Sequence, residues 1–314
     1  MLAVYNGGTY LKQSIDSVLQ QDLNDFELLV LDDCSTDSSY EYLYELKDTR
    51  IKLFRNETNR GLFYNLNFLI DHSNSSLIKL WAQDDIMYTH CLSSFVKFHT
   101  LHPGIGFSYS GRDMIDENGL LKENHAVDNT PEIISTELHA RIAYYTGSIA
   151  GNISNTCISK VALDKVGLFN VTMKISADFD MWVRLAEHFE TGFIWEKLIR
   201  LRDHEGQLSR NEIYYINHVR EDLQVYRYLN NYLSKTLRAE GKVIMRQHKL
   251  VFYYTLMVKS FLKAELKTTV AYARQLFAMD NFFLLTVAFV KAKISKRPKP
   301  VFPIHLFHPK TESE

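Results

Sequence analysis

Within residues 2–82, short apolar runs alternate with segments of helical period, and this alternation restricts the fold more than any other feature of the chain. Leu2–Tyr5, Phe26–Leu31, Ile51–Phe54 and Leu77–Ala82 have strand character. Between them, Tyr10–Gln21 places Leu11, Ile15, Val18 and Leu19 at helical spacing, Ser38–Lys47 forms a second helix, and Asn59-Arg60-Gly61 opens a third that runs through His72. Parallel strands need crossovers of this length. The β-α-β-α-β-α-β order therefore predicts an α/β fold with a mostly parallel central sheet, flanking helices and right-handed crossovers. Asn6-Gly7-Gly8-Thr9 reads as a turn in which Thr9 caps the first helix. The first strand is short and only Met1 precedes it, which reads as a truncated start.

In open α/β sheets, chemistry collects at the carboxyl ends of the strands. Two of these strands end in acidic pairs, Asp32-Asp33 after the second and Asp84-Asp85 after the fourth. Adjacent carboxylates are costly to bury unless something positive neutralises them. Hard oxygen ligands suit magnesium or manganese carrying phosphate. A polar turn after a strand would account for either pair taken singly; two pairs on one rim favour a site. A carboxylate of Asp32 or Asp33 can accept from a nucleobase N–H or from ribose hydroxyls, and Tyr5 can stack on a base. From the third crossover, Asn59, Arg60 and Asn67 reach the same rim, where an arginine can counter a diphosphate. Asp33 and Asp37 also suit helix capping.

Further along, Asp178 and Asp180 stand at a helix start whose apolar members are Phe179, Trp182, Val183 and Ala186. Residues two apart do not share a helix face, so one carboxylate faces a site while the other caps the helix or pairs with Arg184. An aspartate facing an acceptor hydroxyl suits a general base. The polar loop His204-Glu-Gly-Gln-Leu-Ser209 comes after a strand at Phe193–Leu198, and a neutral His204 imidazole can complete a metal shell. Ile105–Ser110 reads as a strand with a hairpin turn at Asp116-Glu-Asn-Gly119, residues 122–135 as an irregular loop, and Ile158–Val166 as helical.

Near Arg210 the character changes. Helical runs at 214–234, 238–263, 265–279 and 280–293 contain little glycine or proline, and Pro298, Pro300 and Pro303 end them. The expected division is a sheet domain at 1–210 and a helical region at 211–314. Lys259, Lys263, Lys267, Lys291, Lys293, Lys296 and Arg297 are scattered among apolar residues there. This suits peripheral membrane contact as well as packing on the sheet domain or on a second subunit of a homo-oligomer.

A formal net charge of −1 over 314 residues gives no field to recruit nucleic acid, so an anionic ligand must be met locally. The three cysteines, Cys34, Cys91 and Cys157, lack zinc-ligand spacing and fit a reducing compartment. With no signal peptide and no stretch of about twenty apolar residues visible, the expected location is cytoplasmic, on the inner face of the cell membrane if the helical tail attaches there.

The ordered set Val4-Tyr-Asn-Gly7, the helix from Tyr10-Leu11 to Ser17-Val-Leu-Gln-Gln21, Phe26 to Asp37, Asn59-Arg-Gly61, Asn67, Asp84-Asp85, Gly167-Leu-Phe169, Ser176 to Arg184 and His204 to Ser209 resembles the inverting family 2 glycosyltransferases of the GT-A, Rossmann-like fold. The resemblance spans residues 2–210. It implies that Tyr5 and Asp33 contact the nucleotide base with Asp32 close by, and that Asp84 contacts the ribose or sugar. It further implies that Asp85 binds Mn2+ or Mg2+ bridging the diphosphate, that His204 approaches the metal, and that Asp178 is the catalytic base. A nucleoside-diphosphate sugar donor and a saccharide or lipid-linked saccharide acceptor of bacterial surface polysaccharide assembly are implied with it. Ala177 departs from the pattern, since many members carry an acid there, and this leaves Asp180 in competition with Asp178. Two other classes remain open. One is a nucleotide-sugar-binding or scaffold protein without catalysis. The other is a nucleotidyltransferase, which would be expected to carry a basic phosphate loop near the first strand, where no Lys or Arg precedes Lys12.

Overall fold

A computed structural model describes residues 1–123, 128–207 and 214–294. Leu208, Ser209, Arg210 and the prolines at 298, 300 and 303 lie outside the described residues, as do Lys296 and Arg297. Strands β1 (Leu2–Val4), β2 (Leu28–Asp32) and β3 (Ile51–Arg55) pair in parallel in the order β1-β2-β3. Helices α1 (Leu11–Leu19) and α2 (Ser39–Glu45) cross between them. Every residue of β2 is buried, which is why Leu28–Leu31 is an unbroken apolar run rather than an alternating one.

After α3 (Leu62–Asp71), the fourth strand is shorter than Leu77–Ala82: β4 covers Leu77–Lys79. Trp81 instead makes a parallel bridge to Leu2 and donates its backbone N–H to Met1 O, tying this segment to the first three strands. β4 belongs to a second, seven-stranded sheet that is mixed. With β5 (Ile86–Met87), α4 (Cys91–Leu101) and β6 (Ile105–Ile115), the order runs β4-β9-β6-β10-β5, where β9 is Thr156–Ser159 and β10 is Glu190–Arg202. β9 is antiparallel to both neighbours, while β6 and β10 are parallel. The expected helix at Ile158–Val166 is corrected accordingly. Ile158 and Ser159 complete β9, and only Lys160–Val166 is helical (α6), because Ile158 fills the core between Ile78 and Phe107.

The Asp116 hairpin forms as expected, with Asp116 Oδ1 accepting the N–H groups of Asn118 and Leu120 and β7 (Leu121–Lys122) closing it. In the stretch expected to be irregular, β8 (Ile133–Ile134) pairs with β10. Helix α1 opens at Tyr10 without the side-chain cap expected from Thr9. Its small polar residues bind the helix to the segment after β4 instead. Trp81 Nε1 donates to Ser14 Oγ, Met87 N to Ser17 Oγ, and Gln21 bonds Tyr88 O and Leu92 N.

The remaining helices are α5 (Thr136–Thr146), α7 (Ala177–His188), α8 (Tyr215–Leu229), α9 (Lys235–Met245), α10 (Val251–Leu262), α11 (Leu266–Met279) and α12 (Phe282–Ile294), with a π-helical turn at Arg246–Leu250 joining α9 to α10. One apolar cluster runs from Phe107 and Trp182 through Tyr226, Met245 and Tyr253 to Leu285, so the helical region shares its core with the sheet.

Candidate active site

At the carboxyl ends of β1 and β2 the two loops are knitted together. Ser35 Oγ accepts Asn6 N–H, Ser39 Oγ accepts Gly7 N–H, and Asp37 takes Gly8 N–H with one oxygen and Ser39 N–H with the other. Asp37 therefore holds the first N–H of α2 from the position before the N-cap residue Ser38, whose own side chain makes no cap. The Tyr5 ring is left 45% exposed at the rim, while its backbone is clasped at both ends by the Gln83 amide.

Asp32 and Asp33 are both buried but differ in what they hold. Asp33 is saturated by the third crossover: Asn56 Nδ2 at 2.7 Å, Arg60 N at 2.8 Å and Gly61 N at 2.9 Å. Gly61 sits at φ 87°, a conformation costly for other residues, which lets its N–H turn toward the carboxylate. Asp32 Oδ2 accepts Ser35 N–H and lies 3.4 Å from Arg55 Nε, but its Oδ1 has no hydrogen-bond partner among the described residues. The Asn59 and Arg60 side chains are exposed, with the Arg60 guanidinium over the Tyr64 ring. Asn67 is drawn away from this rim. Its amide pairs both ways with the Phe169 backbone, so the two motifs hold each other.

The acidic pair after β4 divides its work. Asp85 is 2% exposed, and its Oδ1 accepts Arg202 N–H at 2.9 Å. Burial and the neighbouring Asp84 carboxylate push its pKa up to about 7 against the pull of a Ser154 hydrogen bond, the Arg202 N–H and the Lys79 ammonium. Asp84 faces the other way, with Oδ2 2.9 Å from His204 Nε2. Tyr10 lies against His204 with ring centroids 4.9 Å apart. Arg202 is the hub beneath them: Nε bonds Asp84 O, one terminal nitrogen bonds Asp116 O and Glu117 O, the other Gln13 Oε1, and the guanidinium lies over Tyr10. Arg202, Gln13 and Gln83 belong to this site although the sequence reading gave them no role, and Tyr10, which opens the first helix of the family-like set, joins them; for Arg202 the signal was the Arg-x-His spacing at the end of β10.

Asp178 and Asp180 part as helical geometry requires. Asp180 pairs with Arg184 at 2.9 Å, and Arg184 also bonds Val166 O and Leu168 O. Asp178 accepts the N–H of Phe179, and burial together with the Asp222 charge raises its pKa to about 6. Among the described residues it shares no hydrogen bond with the Asp84 cluster. Residues 147–155 span the two: Ser154 bonds Asp85 at one end, and Gly147 lies against Tyr226 and Lys249 at the other.

No group of three His, Cys, Asp or Glu side chains among the described residues could hold a metal ion by itself. One carboxylate and one imidazole, Asp84 and His204, are nevertheless a fitting partial shell for a divalent cation whose other ligands come from a diphosphate.

Comparison with known proteins accords with this arrangement. EpsE of Bacillus subtilis, a putative glycosyltransferase, is 26% identical over 220 residues, covering 68% of this chain and 76% of its own. An uncharacterized glycosyltransferase of Rickettsia felis is 26% identical over 212 residues, and there the match spans 35% of the relative's length against 67% of this chain. The Escherichia coli enzyme WfgD, a UDP-Glc:alpha-D-GlcNAc-diphosphoundecaprenol beta-1,3-glucosyltransferase, is 32% identical over 117 residues, covering 37% of this chain and 46% of its own. Staphylococcus aureus TarS 1–349 in complex with UDP-GlcNAc superposes with a TM-score of 0.67 at 16% identity, covering 98% of this chain and 88% of that one, and so shares the fold. The sequence profile described as Glycosyl transferase family 2 matches residues 1–157, half the chain and the whole rim from Tyr5 to Asp85. The chain belongs to glycosyl transferase family 2, on a GT-A fold with helices at its carboxyl end.

Proposed function

We propose that the protein is an inverting glycosyltransferase that moves a sugar from a nucleoside-diphosphate donor to an acceptor hydroxyl, with residues 1–210 binding the donor and the helical region supporting them. The observation that carries this is the Asp84–His204 pair, its side chains 20% and 15% exposed, at the strand ends that also carry Tyr5 and Asp32. Tyr5 offers a ring face to the base, and Asp32 Oδ1 is a buried acceptor awaiting an N–H. The resemblance assigned the metal to Asp85. Its carboxylate is occupied by Arg202 N–H, whereas Asp84 faces the imidazole, so we assign the cation to Asp84 and His204 and leave Asp85 to hold Arg202. A bound Mn2+ or Mg2+ would neutralise charge building on the departing diphosphate.

Asp178 takes the acceptor's proton. The acceptor oxygen bonds to the anomeric carbon from the face opposite the diphosphate as the carbon–oxygen bond to the diphosphate breaks, and one displacement inverts configuration. A pKa of about 6 leaves Asp178 ionised at neutral pH yet basic enough to accept the proton. A panel of nucleotide sugars with manganese, UDP-GlcNAc and UDP-Glc among them, is expected to yield one donor that raises the melting temperature and is slowly hydrolysed. Failure of every sugar nucleotide to do either would sink the proposal.

The acceptor we favour is lipid-linked, met at a membrane surface. On α11, Leu266, Val270 and Phe277 make one exposed stripe about 16 Å long. By the Phe277–Phe282 ring contact it continues to Phe282 and its neighbour Phe283, both exposed. Residues 251–294 carry six basic against two acidic residues, and one of the acids, Asp280, is paired with Arg246. No described helix is long and apolar enough to cross a membrane. An apolar face rimmed by cations suits an anionic lipid surface. Full-length protein is expected to sediment with phosphatidylglycerol vesicles and not with phosphatidylcholine, and a Phe282→Glu/Phe283→Glu variant to bind at least about tenfold more weakly. Equal binding to both lipids would overturn this. So would absence of vesicle binding, whether with self-association that the variant dissolves or with binding recovered only after residues 295–314 are removed.

A further inference from the structure

The approach to α7 is held by two consecutive acids of α8. Glu221 Oε1 accepts the N–H of Lys174, and Oε2 accepts those of Ile175 and Ser176, each at 2.9 Å. Asp222 Oδ1 accepts the Ser176 hydroxyl at 2.6 Å. Its Oδ2 accepts from Tyr253 OH at 2.6 Å and lies 2.8 Å from Lys249 Nζ in the π-helical turn. His218, one turn before Asp222 on α8, lies 3.1 Å from Ser176 Oγ and 3.3 Å from Asp222 Oδ1. Both acids are nearly inaccessible, Glu221 at 7% and Asp222 at 2% exposure.

An α-helix begins with backbone N–H groups that lack intrahelical partners, and a nearby side chain usually supplies the cap. Ser176, the N-cap position of α7, makes no such cap; its hydroxyl is directed to Asp222 instead. The carboxylate that takes the N–H groups of Lys174, Ile175 and Ser176, immediately before α7, is Glu221 of a different helix, 45 to 47 positions later in the chain. Glu221 and Asp222 lie outside residues 1–157 matched by the family profile. Two residues after Ser176 comes Asp178. We infer that Glu221 and Asp222 are positioning residues, through which the helical region fixes the amino terminus of α7 and with it the direction of the Asp178 carboxylate.

This rests on Asp178 being the base, and it adds a role for α8 and the π-helical turn. The cluster is also charged. Facing Asp178 are Asp222 and His218 from α8 and Lys249 from the π-helical turn, with the Phe179 N–H from its own helix. The Asp222 charge opposes ionisation of Asp178, and a charged His218 favours it. An ordinary structural clamp would have no consistent influence on the pH at which the base ionises; these groups have opposite ones.

Two measurements test the inference, and the first needs no substrate. In Glu221→Gln protein, amide hydrogen exchange over residues 172–180 is expected to quicken by about tenfold or more, while the β6–β10 peptides keep their protection. With the donor selected by the panel, Asp222→Asn is expected to move the acid limb of the pH–rate profile down by about one unit. Removing a like charge and unpairing Lys249 both favour ionised Asp178. His218→Gln should move that limb up. Because the His218 ring is over a third exposed, this variant folds even if the loss of Asp222 proves too disruptive. Unchanged exchange in Glu221→Gln, or a limb unmoved by His218→Gln, overturns the inference. Neither result touches the assignment of Asp178, which fails only if Asp178→Asn remains active.

Discussion

In Asp178→Asn protein, sugar transfer is expected to fall by roughly 10²- to 10⁴-fold, the usual worth of a positioned general base, with donor affinity unchanged. Asparagine keeps the shape and still accepts the Phe179 N–H, but it cannot take a proton. The same substitution should stabilise the fold. Burial and Asp222 raise the Asp178 pKa from 3.8 to about 6, so the folded protein binds this proton more tightly than the unfolded chain. An acid with a raised pKa costs stability as pH climbs from the unfolded value through the folded one, and that cost is complete above it. The variant should therefore melt at a higher temperature than the parent at about pH 8, with the gap closing by about pH 4. Near-normal turnover would remove Asp178 from the mechanism. An inactive variant with no stability gain would leave the role intact and contradict the account of its environment.

Asp84→Asn and His204→Ala are each expected to lower manganese-dependent donor affinity on the order of 100-fold. Even outer-shell partners of a metal are worth roughly 10- to 100-fold, and these side chains would touch the ion. Calorimetry with and without manganese separates this from loss of base stacking, which Tyr5→Ala would show in both conditions. Asp85→Asn is expected to behave differently. Its amide oxygen can still accept the Arg202 N–H, so most of the metal-dependent affinity should persist. If affinity collapses in Asp85→Asn and survives in Asp84→Asn, the ligand is Asp85, as the family resemblance had it.

Much of the rim was legible in the chain. A β-α-β order has few solutions, and each parallel strand carries the residues after it to one edge, so Asp32-Asp33 and Asp84-Asp85 had to share that edge. Helical period alone separates Asp178 from Asp180, and Asp180 does pair with Arg184. Ile158 was less legible because an isolated apolar run carries the same signal on a strand as on a helix. Asn67 was grouped with Asn59 and Arg60 because all three come from the third crossover. In the fold, its amide is spent on Phe169, 102 positions away.

The sequence by itself determined the parallel β1–β3 strands, the rim and the family, since these depend on local periodicity and on residue types close together in the chain. Only the tertiary structure decided which of two adjacent aspartates faces His204, that Arg202 underpins them, and that Glu221 and Asp222 hold the entry to α7. Those pairings join residues 45 to 189 positions apart. Nothing local encodes them; they arise because buried carboxylates must find donors, and packing determines which donors lie within reach.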